Sequence, residues 1–297
     1  MSLIIKELLQ IGESALQKAG CMDPKIDAEI LLCHMLAFNK TQLFIKSPTL
    51  LDEKSCEEYF KLIDIRAGGM PVQYITGVQE FMGIPFKVNE NVLIPRQDTE
   101  TLVEDVIAML QKGLKNVKKP SGGFQVLDLC CGSGAIGVSL CKHVNNVKVT
   151  AADISKKALE VAKENAQRAG VEKRIRFAES DLFGSLRKGL GGSKFHLIVS
   201  NPPYIESSVI PTLQREVALH EPMLALDGGE DGLDFYRRIF TDAPSYLKKN
   251  GMLFLEMGHN QAAALTALAS ETGKFEDIRI IKDLAGLDRV FECRLAN

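Results

Sequence analysis

The sequence predicts an α/β protein whose main part is a doubly wound, mainly parallel sheet of seven strands. Three observations support this class. Apolar, β-rich stretches alternate with helical patterns from Gln125 onward, which is typical of a parallel sheet covered by helices on both faces. The residues up to about Ala67 show only helical periodicity. A glycine-rich turn follows the first strand of the alternating part, where such sheets bind ligands.

The chain divides near residue 90 into two predicted domains that a hairpin joins. We expect a smaller helical domain at residues 1–70, a β-hairpin linker at residues 71–91 and a larger α/β domain at residues 92–297. A chain of 297 residues is long enough for two domains, since domains average roughly 150 residues.

Apolar residues at helical spacing define the N-terminal domain. They recur about every three to four residues up to Ala67, Pro24 suits a helix start, and Asp52 suits a helix cap. Pro71, after two glycines, ends the pattern. From Val72 to Val88, aromatic and β-branched residues interrupted by glycine predict the hairpin.

One further helix and one loop are predicted before the sheet. Residues 98–112 carry an apolar face and begin with Asp98 or Thr99 as the N-terminal cap. The stretch from Lys112 to Gly123 is basic and rich in turn residues, which is typical of a solvated loop, although its lysines could contact a phosphate backbone.

The order of strands and helices after Gln125 sets the predicted sheet. Only Asp283 to Asp288 separates the last two strands, too short a stretch for a helical crossover, so we expect them to pair antiparallel at the sheet edge. The predicted strands are 125–129, 147–153, 174–179, 195–200, 251–257, 276–282 and 289–295. The predicted helices are 134–142, 156–169, 233–248 and 260–271.

Composition and charge narrow the class of protein. The chain has 36 Lys and Arg against 38 Asp and Glu, a net charge of −2 that excludes histone-like binding of nucleic acid. Seven cysteines without a Cys-x-x-Cys pair fit neither a disulfide framework nor a zinc site, and we expect no metal. No apolar run reaches the ~18 residues of a membrane helix and no signal pattern occurs, so we expect a cytoplasmic protein.

The first motif with chemical content is the turn after the first strand of the alternating part. The strand runs into Cys130-Cys131-Gly132-Ser133-Gly134, which opens a helix, and Asp153 closes the next strand about 20 residues later. Glycine lets the backbone approach a ligand without a Cβ clash. An acid at that spacing can accept hydrogen bonds from both ribose hydroxyls of a nucleoside. The motif fits a nicotinamide dinucleotide, a methyl donor or a structural turn without ligand.

The second motif, Asn201-Pro202-Pro203-Tyr204, directly follows a predicted apolar strand and favours the methyl donor. Proline fixes φ, so the Pro202 carbonyl and the Asn201 side chain are held in a stiff turn. This turn belongs at the carboxyl end of the sheet, where ligands bind. Two rigid oxygen acceptors suit a planar –NH2 group, and Tyr204 can stack on a flat partner.

Together these motifs resemble the class I S-adenosylmethionine-dependent methyltransferases, a Rossmann-like fold, whose Asn-Pro-Pro-Tyr loop methylates planar nitrogens. Within that class the chain resembles the release factor glutamine methyltransferases. The resemblance runs from about residue 70 to the C-terminus, while the N-terminal helices match in character more than in motif. The stretches that carry it are Gln73 to Gly77 with Phe81 and Phe86, Leu93 to Glu100, and Glu221 to Leu233.

The resemblance implies a role for individual residues. It implies S-adenosyl-L-methionine as donor and S-adenosyl-L-homocysteine as product. Asp128, Asp153 and Asp181 could instead cap loops or helices, and the family's usual glycine at position 130 leads us to expect no positive φ at Cys130. The implied catalytic residues are Asn201, Pro202 and Tyr204, with Pro203 also contacting substrate. The implied cofactor residues are Asp128, Cys130, Cys131, Gly132, Ser133, Gly134, Asp153, Asp181, Leu182 and Asn201.

The implied reaction is methylation of the side-chain amide of the glutamine in the Gly-Gly-Gln motif of class I peptide chain release factors. We expect a monomer whose N-terminal helices recognise that protein. A ribosomal-protein glutamine is one alternative target. Adenine in a nucleic acid is another planar amine, against which the net charge and the lack of a basic, aromatic-rich region argue. A non-catalytic nucleotide-binding protein would not need the intact Asn-Pro-Pro-Tyr loop.

Overall fold

The structure, a computed structural model, describes residues 2–113, 120, 122–186 and 194–296. The chain divides into two compact units, each defined by the contacts within it. The smaller unit comprises Met1–Val78 and Leu213–His220, and the larger unit comprises Gln79–Thr212 and Glu221–Asn297. The segment Leu213–His220 therefore belongs to the smaller unit although it is distant from it in sequence.

The helices and strands are numbered in chain order. The helices are α1 (Ile5–Lys18), α2 (Pro24–Leu36), α3 (Lys40–Ile45), α4 (Glu53–Ala67), α5 (Val72–Thr76), α6 (Gln97–Lys112), α7 (Ala135–His143), α8 (Lys156–Ala169), α9 (Arg215–His220), α10 (Met223–Leu226), α11 (Asp234–Tyr246) and α12 (Ala262–Glu271). The strands are β1 (Leu3–Ile4), β2 (Leu50–Leu51), β3 (Val78–Phe81), β4 (Ile84–Lys87), β5 (Phe124–Leu129), β6 (Val147–Asp153), β7 (Ile175–Glu179), β8 (Phe195–Ser200), β9 (Leu247–Glu256), β10 (Phe275–Lys282) and β11 (Asp288–Leu295).

The smaller unit is helical, as its sequence predicts, with the short strands β1 and β2 paired antiparallel. Its helices pack their apolar faces into one core, within which the hydroxyl of Tyr59 donates to the Ala28 carbonyl at 3.2 Å. Buried Arg66 pairs with Asp27 at 2.6 Å and with Glu216 of α9 at 2.6 Å. A buried charge needs such partners, because removing one partner of a buried ion pair lowers the free energy of unfolding by about 3–5 kcal/mol.

The predicted hairpin from Val72 to Val88 is wrong in its first third, where the chain forms helix α5. Pro71, with its fixed φ, precedes the helix, and Gly77 at φ 74° ends it in the left-handed conformation. These two residues favour a short helix, although the β-branched residues between them favour a strand. The hairpin itself is β3 and β4, joined by Met82 and Gly83, both at positive φ as a tight hairpin turn requires.

The larger unit contains the predicted seven-stranded sheet, in the order β10-β11-β9-β8-β5-β6-β7. The five strands from β9 to β7 in this order run parallel, because β8–β9, β5–β8, β5–β6 and β6–β7 are all parallel pairs. Strand β11 pairs antiparallel with β9 and with β10 at the sheet edge. The predicted antiparallel edge pair is therefore confirmed.

Helices cover both faces of the sheet, because neighbouring residues on each central strand point to opposite faces and both are apolar. Val126 of β5 packs in one core with residues of α6, α7 and α8. Leu127, the next residue, packs in a second core with residues of α11 and α12. Continuous apolar strands are what a sheet buried on both sides requires.

Several predicted bounds differ from the structure by one to four residues. Helix α6 begins at Gln97 without a side-chain cap, so the predicted cap at Asp98 or Thr99 is wrong and both residues lie inside its first turn. The predicted helix 233–248 ends at Tyr246, after Pro244, and Leu247 already belongs to β9. Most of the predicted loop from Lys112 to Gly123 lies outside the described residues.

Candidate active site

The residues that follow β5, β6 and β8 line a cavity of about 250 Å³. Strands β8 and β6 flank β5, so the cavity lies where the chain order of the strands reverses, which is the usual ligand site of such sheets. Nine of the sequence-predicted site residues line it: Cys130, Cys131, Gly132, Ser133, Asp153, Asp181, Leu182, Asn201 and Pro203. Four others, Asp128, Gly134, Pro202 and Tyr204, lie outside its lining.

The glycine turn between β5 and α7 is closed by backbone hydrogen bonds. Gly132 and Gly134 have φ of 52° and 80°, in the left-handed region that glycine adopts without cost. The Gly134 N–H donates to the Cys131 carbonyl at 2.7 Å, and the Cys131 N–H donates to the Ala152 carbonyl of β6 at 3.0 Å. A Cβ on Gly134 would lie 3.1 Å from the Ala162 side chain, so this glycine also allows α7 to pack against α8.

Cys130 has a φ of 56°, so the expectation that residue 130 avoids a positive φ is wrong. A left-handed conformation costs a residue with a Cβ roughly 1–2 kcal/mol. The half-buried side chain packs against the core under the sheet, which offsets part of that cost. Burial raises the pKa of the thiol, so it stays protonated and does not act as a nucleophile at neutral pH.

Asp128, a predicted cofactor residue, lies fully buried behind the turn. Its Oδ2 accepts a hydrogen bond from the Gly137 N–H in the first turn of α7 at 2.9 Å. Burial raises the pKa of this carboxyl to about 8, and the nearby charge of Asp153 acts in the same direction. Its observed contacts attach β5 to α7.

Asp153, at the end of β6, presents its carboxylate to the cavity. Oδ2 accepts from the Gly132 N–H and Oδ1 from the Ser155 N–H, both at 2.8 Å. Burial raises the pKa of this group, while these two backbone donors and the Ile154 N–H act in the opposite direction. Because each carboxylate oxygen has two lone pairs, both can accept one more hydrogen bond from a ligand.

The third wall of the cavity follows β7. Leu182 is buried with a φ of 47°, and Asp181 pairs with Arg238 of α11 at 2.7 Å. Arg238 lies over the Phe235 ring, 5.9 Å from its centroid, and both residues line the cavity. The sequence offered no signal for these two residues, because α11 comes about 50 residues or more after Asp181 and only the packed fold brings it here.

Asn201 follows β8 and lines the cavity with its side chain fixed by helix α6. The amide Nδ2 donates to the Thr99 hydroxyl at 3.3 Å, which leaves Oδ1 as the acceptor for a ligand. One residue before it, the Ser200 hydroxyl donates to the Leu129 carbonyl at 2.8 Å and joins β8 to β5. Pro202 and Pro203 are buried, so the turn that follows Asn201 is held on both sides.

Tyr204 anchors the loop from beneath. Its hydroxyl donates to Oε1 of buried Glu256 at 3.2 Å, and its ring packs against the core. Its carbonyl accepts from Nε2 of Gln261 at 3.1 Å. Burial and the neighbouring Glu256 charge raise the pKa of Tyr204, so its hydroxyl stays protonated. The side chain thus occupies an interior position below the cavity.

Residues without a predicted role form the remaining wall of the cavity. Arg96 lines the cavity and pairs with the buried carboxylate of Glu221. Glu221 begins the segment whose Pro222, Leu224 and Ala225 also line the cavity. Both partners lie in stretches noted only for their resemblance to a family pattern. The ion pair joins these two stretches, which lie far apart in sequence, at one wall of the cavity.

Comparison with known proteins assigns the chain first to a class. The sequence model of the methyltransferase small domain matches residues 108–230, and that of the PrmC N-terminal domain matches residues 7–77. A methyltransferase from Pyrococcus furiosus is 18% identical with a TM-score of 0.50 and covers 72% of this chain and 89% of its own. The human methyltransferase 10 domain containing protein is 15% identical with a TM-score of 0.52, covering 78% and 95%. The fold is that of a methyltransferase.

Closer relatives then identify the family. The release factor glutamine methyltransferase of Clostridium botulinum is 39% identical over 98% of this chain and 99% of its own length. That of Clostridium acetobutylicum is 40% identical over 96% of both chains, and that of Moorella thermoacetica is 39% identical over 95% of both. The chain belongs to the release factor glutamine methyltransferase family, as the motifs predicted, and is a methyltransferase.

Within residues 2–113, 120, 122–186 and 194–296, no helix is long and apolar enough to cross a membrane. In the same part of the chain, no group of three or more His, Cys, Asp or Glu side chains is arranged to hold a metal ion.

Proposed function

We propose that this protein uses S-adenosyl-L-methionine to methylate the side-chain amide nitrogen of the glutamine in the Gly-Gly-Gln motif of class I peptide chain release factors. It acts in the cytoplasm as a monomer. The observation that carries the proposal is the position of Asn201, whose oriented amide lines the same cavity as the Asp153 carboxylate. One group is suited to a planar amide and the other to a ribose.

The cavity fits the donor in its chemistry. The Asp153 carboxylate has accepting capacity for two ribose hydroxyls, and Asp181 lies at the next strand end as an acceptor for an exocyclic amine. Leu182 and Ile154 give the lining an apolar part for the adenine ring. The left-handed turn at Gly132 leaves open space where a Cβ would stand, so the methionine part can approach the backbone.

The substrate amide is a weak nucleophile, because its nitrogen lone pair is delocalised into the carbonyl. Oδ1 of Asn201, which lines the cavity, is the proposed acceptor for one of its hydrogens, and the carbonyl of Pro202, in the adjoining buried turn, is the proposed acceptor for the other. They favour the transition state in which this delocalisation is partly lost and positive charge develops on nitrogen. Preorganised dipoles aimed at developing charge are usually the largest catalytic contribution.

The donor supplies a methyl group bound to a positively charged sulfur. The amide nitrogen forms its bond to this methyl as the carbon–sulfur bond breaks, and the electron pair of that bond neutralises the sulfur. The nitrogen then loses one proton, which has become acidic. Holding the amide nitrogen and the methyl group in line would add a contribution from proximity, up to about 7–11 kcal/mol in favourable systems.

The test is methyl transfer from labelled donor to purified release factor. We expect label on the glutamine of the Gly-Gly-Gln motif and none on a release factor in which this glutamine is replaced by alanine. A ribosomal protein fraction and an adenine-containing DNA are assayed beside it. Transfer to either of them, with none to the release factor, would refute the proposed substrate.

We further infer that the smaller unit recognises the protein substrate. It exposes large apolar side chains, among them Phe44 and Ile45 at the end of α3. Phe44→Ser should raise KM for intact release factor and leave KM for a short Gly-Gly-Gln peptide unchanged. Leu284→Ser, an equally apolar and exposed site in the larger unit, is the matched control. Equal KM values for intact protein in both variants and the wild type would contradict the inference.

A further inference from the structure

Beneath the Asn-Pro-Pro-Tyr loop, polar side chains from helix α6 and strand β9 form a connected chain. Nδ2 of Asn201 donates to the Thr99 hydroxyl at 3.3 Å, and the Tyr204 hydroxyl donates to Oε1 of Glu256 at 3.2 Å. The Thr99 hydroxyl also interacts with Glu256 and favours its ionised form, which lowers the pKa of this carboxyl. Thus one buried carboxylate binds Tyr204 of the loop and interacts with Thr99, the partner of Asn201.

The direction of each hydrogen bond follows from the number of protons. An ionised carboxylate only accepts, and Oε2 of Glu256 has no hydrogen-bond partner among the described residues, so Glu256 has accepting capacity for the single hydroxyl hydrogen of Thr99. The Thr99 oxygen is then left as an acceptor, and only the Nδ2 end of the Asn201 amide can bind it. This leaves Oδ1 of Asn201 as the group available to the cavity.

We propose that Glu256 is a positioning residue that acts through Thr99 and Tyr204 to hold the Asn201 amide with its oxygen toward the substrate. For the identity of that substrate this rests on the proposed function. Glu256 itself does not line the cavity. Its two connections act on the first and the last residue of the loop, so both ends are oriented by the same group.

The surroundings of Glu256 make this device sensitive to pH. Burial raises its pKa to about 7, while hydrogen bonds from Thr99 and Tyr204 and the charge of Arg289 act in the opposite direction. Asp98 adds a further upward contribution. When Glu256 is protonated it can itself donate to Thr99, so the direction of the Thr99–Asn201 bond is no longer fixed. We therefore expect kcat to rise as pH increases through about 7.

The first test removes only the Thr99 hydroxyl. Thr99→Val keeps the shape and should lower kcat about tenfold, the effect of one lost hydrogen bond. Calorimetry should show unchanged affinity for S-adenosyl-L-methionine, and Thr99→Ser should restore kcat. Thr101→Val makes the same chemical change two residues along α6, outside the cavity lining, and should leave kcat unchanged.

The second test uses Glu256→Gln, which keeps size and hydrogen bonding but cannot ionise. Its kcat should be lower than that of the wild type at pH 8, roughly tenfold, and should show no step near pH 7. A wild type that methylates release factor, with normal kcat in Thr99→Val and an unchanged pH profile in Glu256→Gln, would overturn the positioning role. A wild type that transfers no methyl group to release factor would instead overturn the proposed function.

Discussion

The glycine turn at residues 130–134 and the loop at residues 201–204 line one cavity but are held in different ways. Backbone N–H groups of the turn hold it: the Gly134 N–H binds the Cys131 carbonyl, and the Gly132 N–H binds the carboxylate of Asp153 in the neighbouring strand β6. Side chains from remote elements hold the loop, namely Thr99 of α6, Glu256 of β9 and Gln261 before α12. The turn is thus fixed by its own backbone and the adjacent strand, and the loop by side chains of more distant elements.

This difference predicts where changes act. In the proposed function the turn and Asp153 hold the donor, so removing the Asp153 carboxylate should change donor affinity. In the same proposal the loop orients the reacting amide, so removing a polar group in or beneath the loop should change turnover. A change in the other kinetic constant instead would break this separation.

The largest effect is expected for Asp153→Ala. The change removes the acceptors for two charge-assisted hydrogen bonds that we propose to the ribose, worth about 1.5–3 kcal/mol each, and also the acceptors of the Gly132 and Ser155 N–H groups. The dissociation constant for S-adenosyl-L-methionine, measured by calorimetry, should rise about 10²–10⁴-fold. Asp153→Asn, which keeps one acceptor, should give an intermediate value. Tight binding of NADH in place of this donor would refute the assignment of the cavity.

Asn201→Ala should have the next largest effect, on turnover. It deletes one of the two acceptors that we propose for the substrate amide, and losing one such group typically lowers kcat about 10²–10³-fold. Asn201→Asp keeps an acceptor but removes the Nδ2 donor to Thr99 and adds a charge, so its kcat should fall as far as that of Asn201→Ala. Single-turnover kinetics on a release factor measures both variants, with donor affinity as the control. Near-normal turnover in Asn201→Ala would mean that the loop is only structural.

A pair of glycines tests how tightly the loop is enclosed. Gly232 and Gly170 both have a φ of 71°, so alanine at either position carries the same backbone strain. A Cβ on Gly232 would overlap the Tyr204 carbonyl oxygen, whereas a Cβ on Gly170 would meet nothing within 4 Å. Gly232→Ala should therefore be destabilised by about 1–3 kcal/mol more than Gly170→Ala in thermal unfolding and should lose turnover. Equal behaviour of the two variants would show that the loop can shift freely.

The same contrast explains how much the sequence could predict. Strands β6 and β8 and helix α8 have the predicted bounds, because their apolar patterns and end signals are local. The turn and its acid were found for the same reason. Thr99 and Glu256 were given no role in the site, since α6 and β9 meet the loop only in the folded protein. Helix α5 was not predicted, because its β-branched residues favour a strand. Pro71 before it and Gly77 at its end favour a helix instead.

The position of Cys130 shows a further limit, because a residue pattern does not reveal φ. Its left-handed conformation costs roughly 1–2 kcal/mol, which glycine would not pay. Cys130→Gly, however, also gives the unfolded chain more freedom, a loss of about 0.5–1 kcal/mol, and removes a side chain that packs against the core. These contributions have opposite signs and similar size.

We therefore expect the smallest effect of the series for Cys130→Gly, a change in the free energy of unfolding of less than about 1 kcal/mol with donor affinity nearly unchanged. Denaturant unfolding and calorimetry measure the two quantities. Cys141→Gly, in the last turn of α7 with a buried thiol and no positive φ, lacks the relief of strain and should be clearly destabilised. If Cys130→Gly were destabilised as much as Cys141→Gly, the thiol and not the backbone would determine the turn. Its geometry would then depend on side-chain packing, as that of the Asn-Pro-Pro-Tyr loop does.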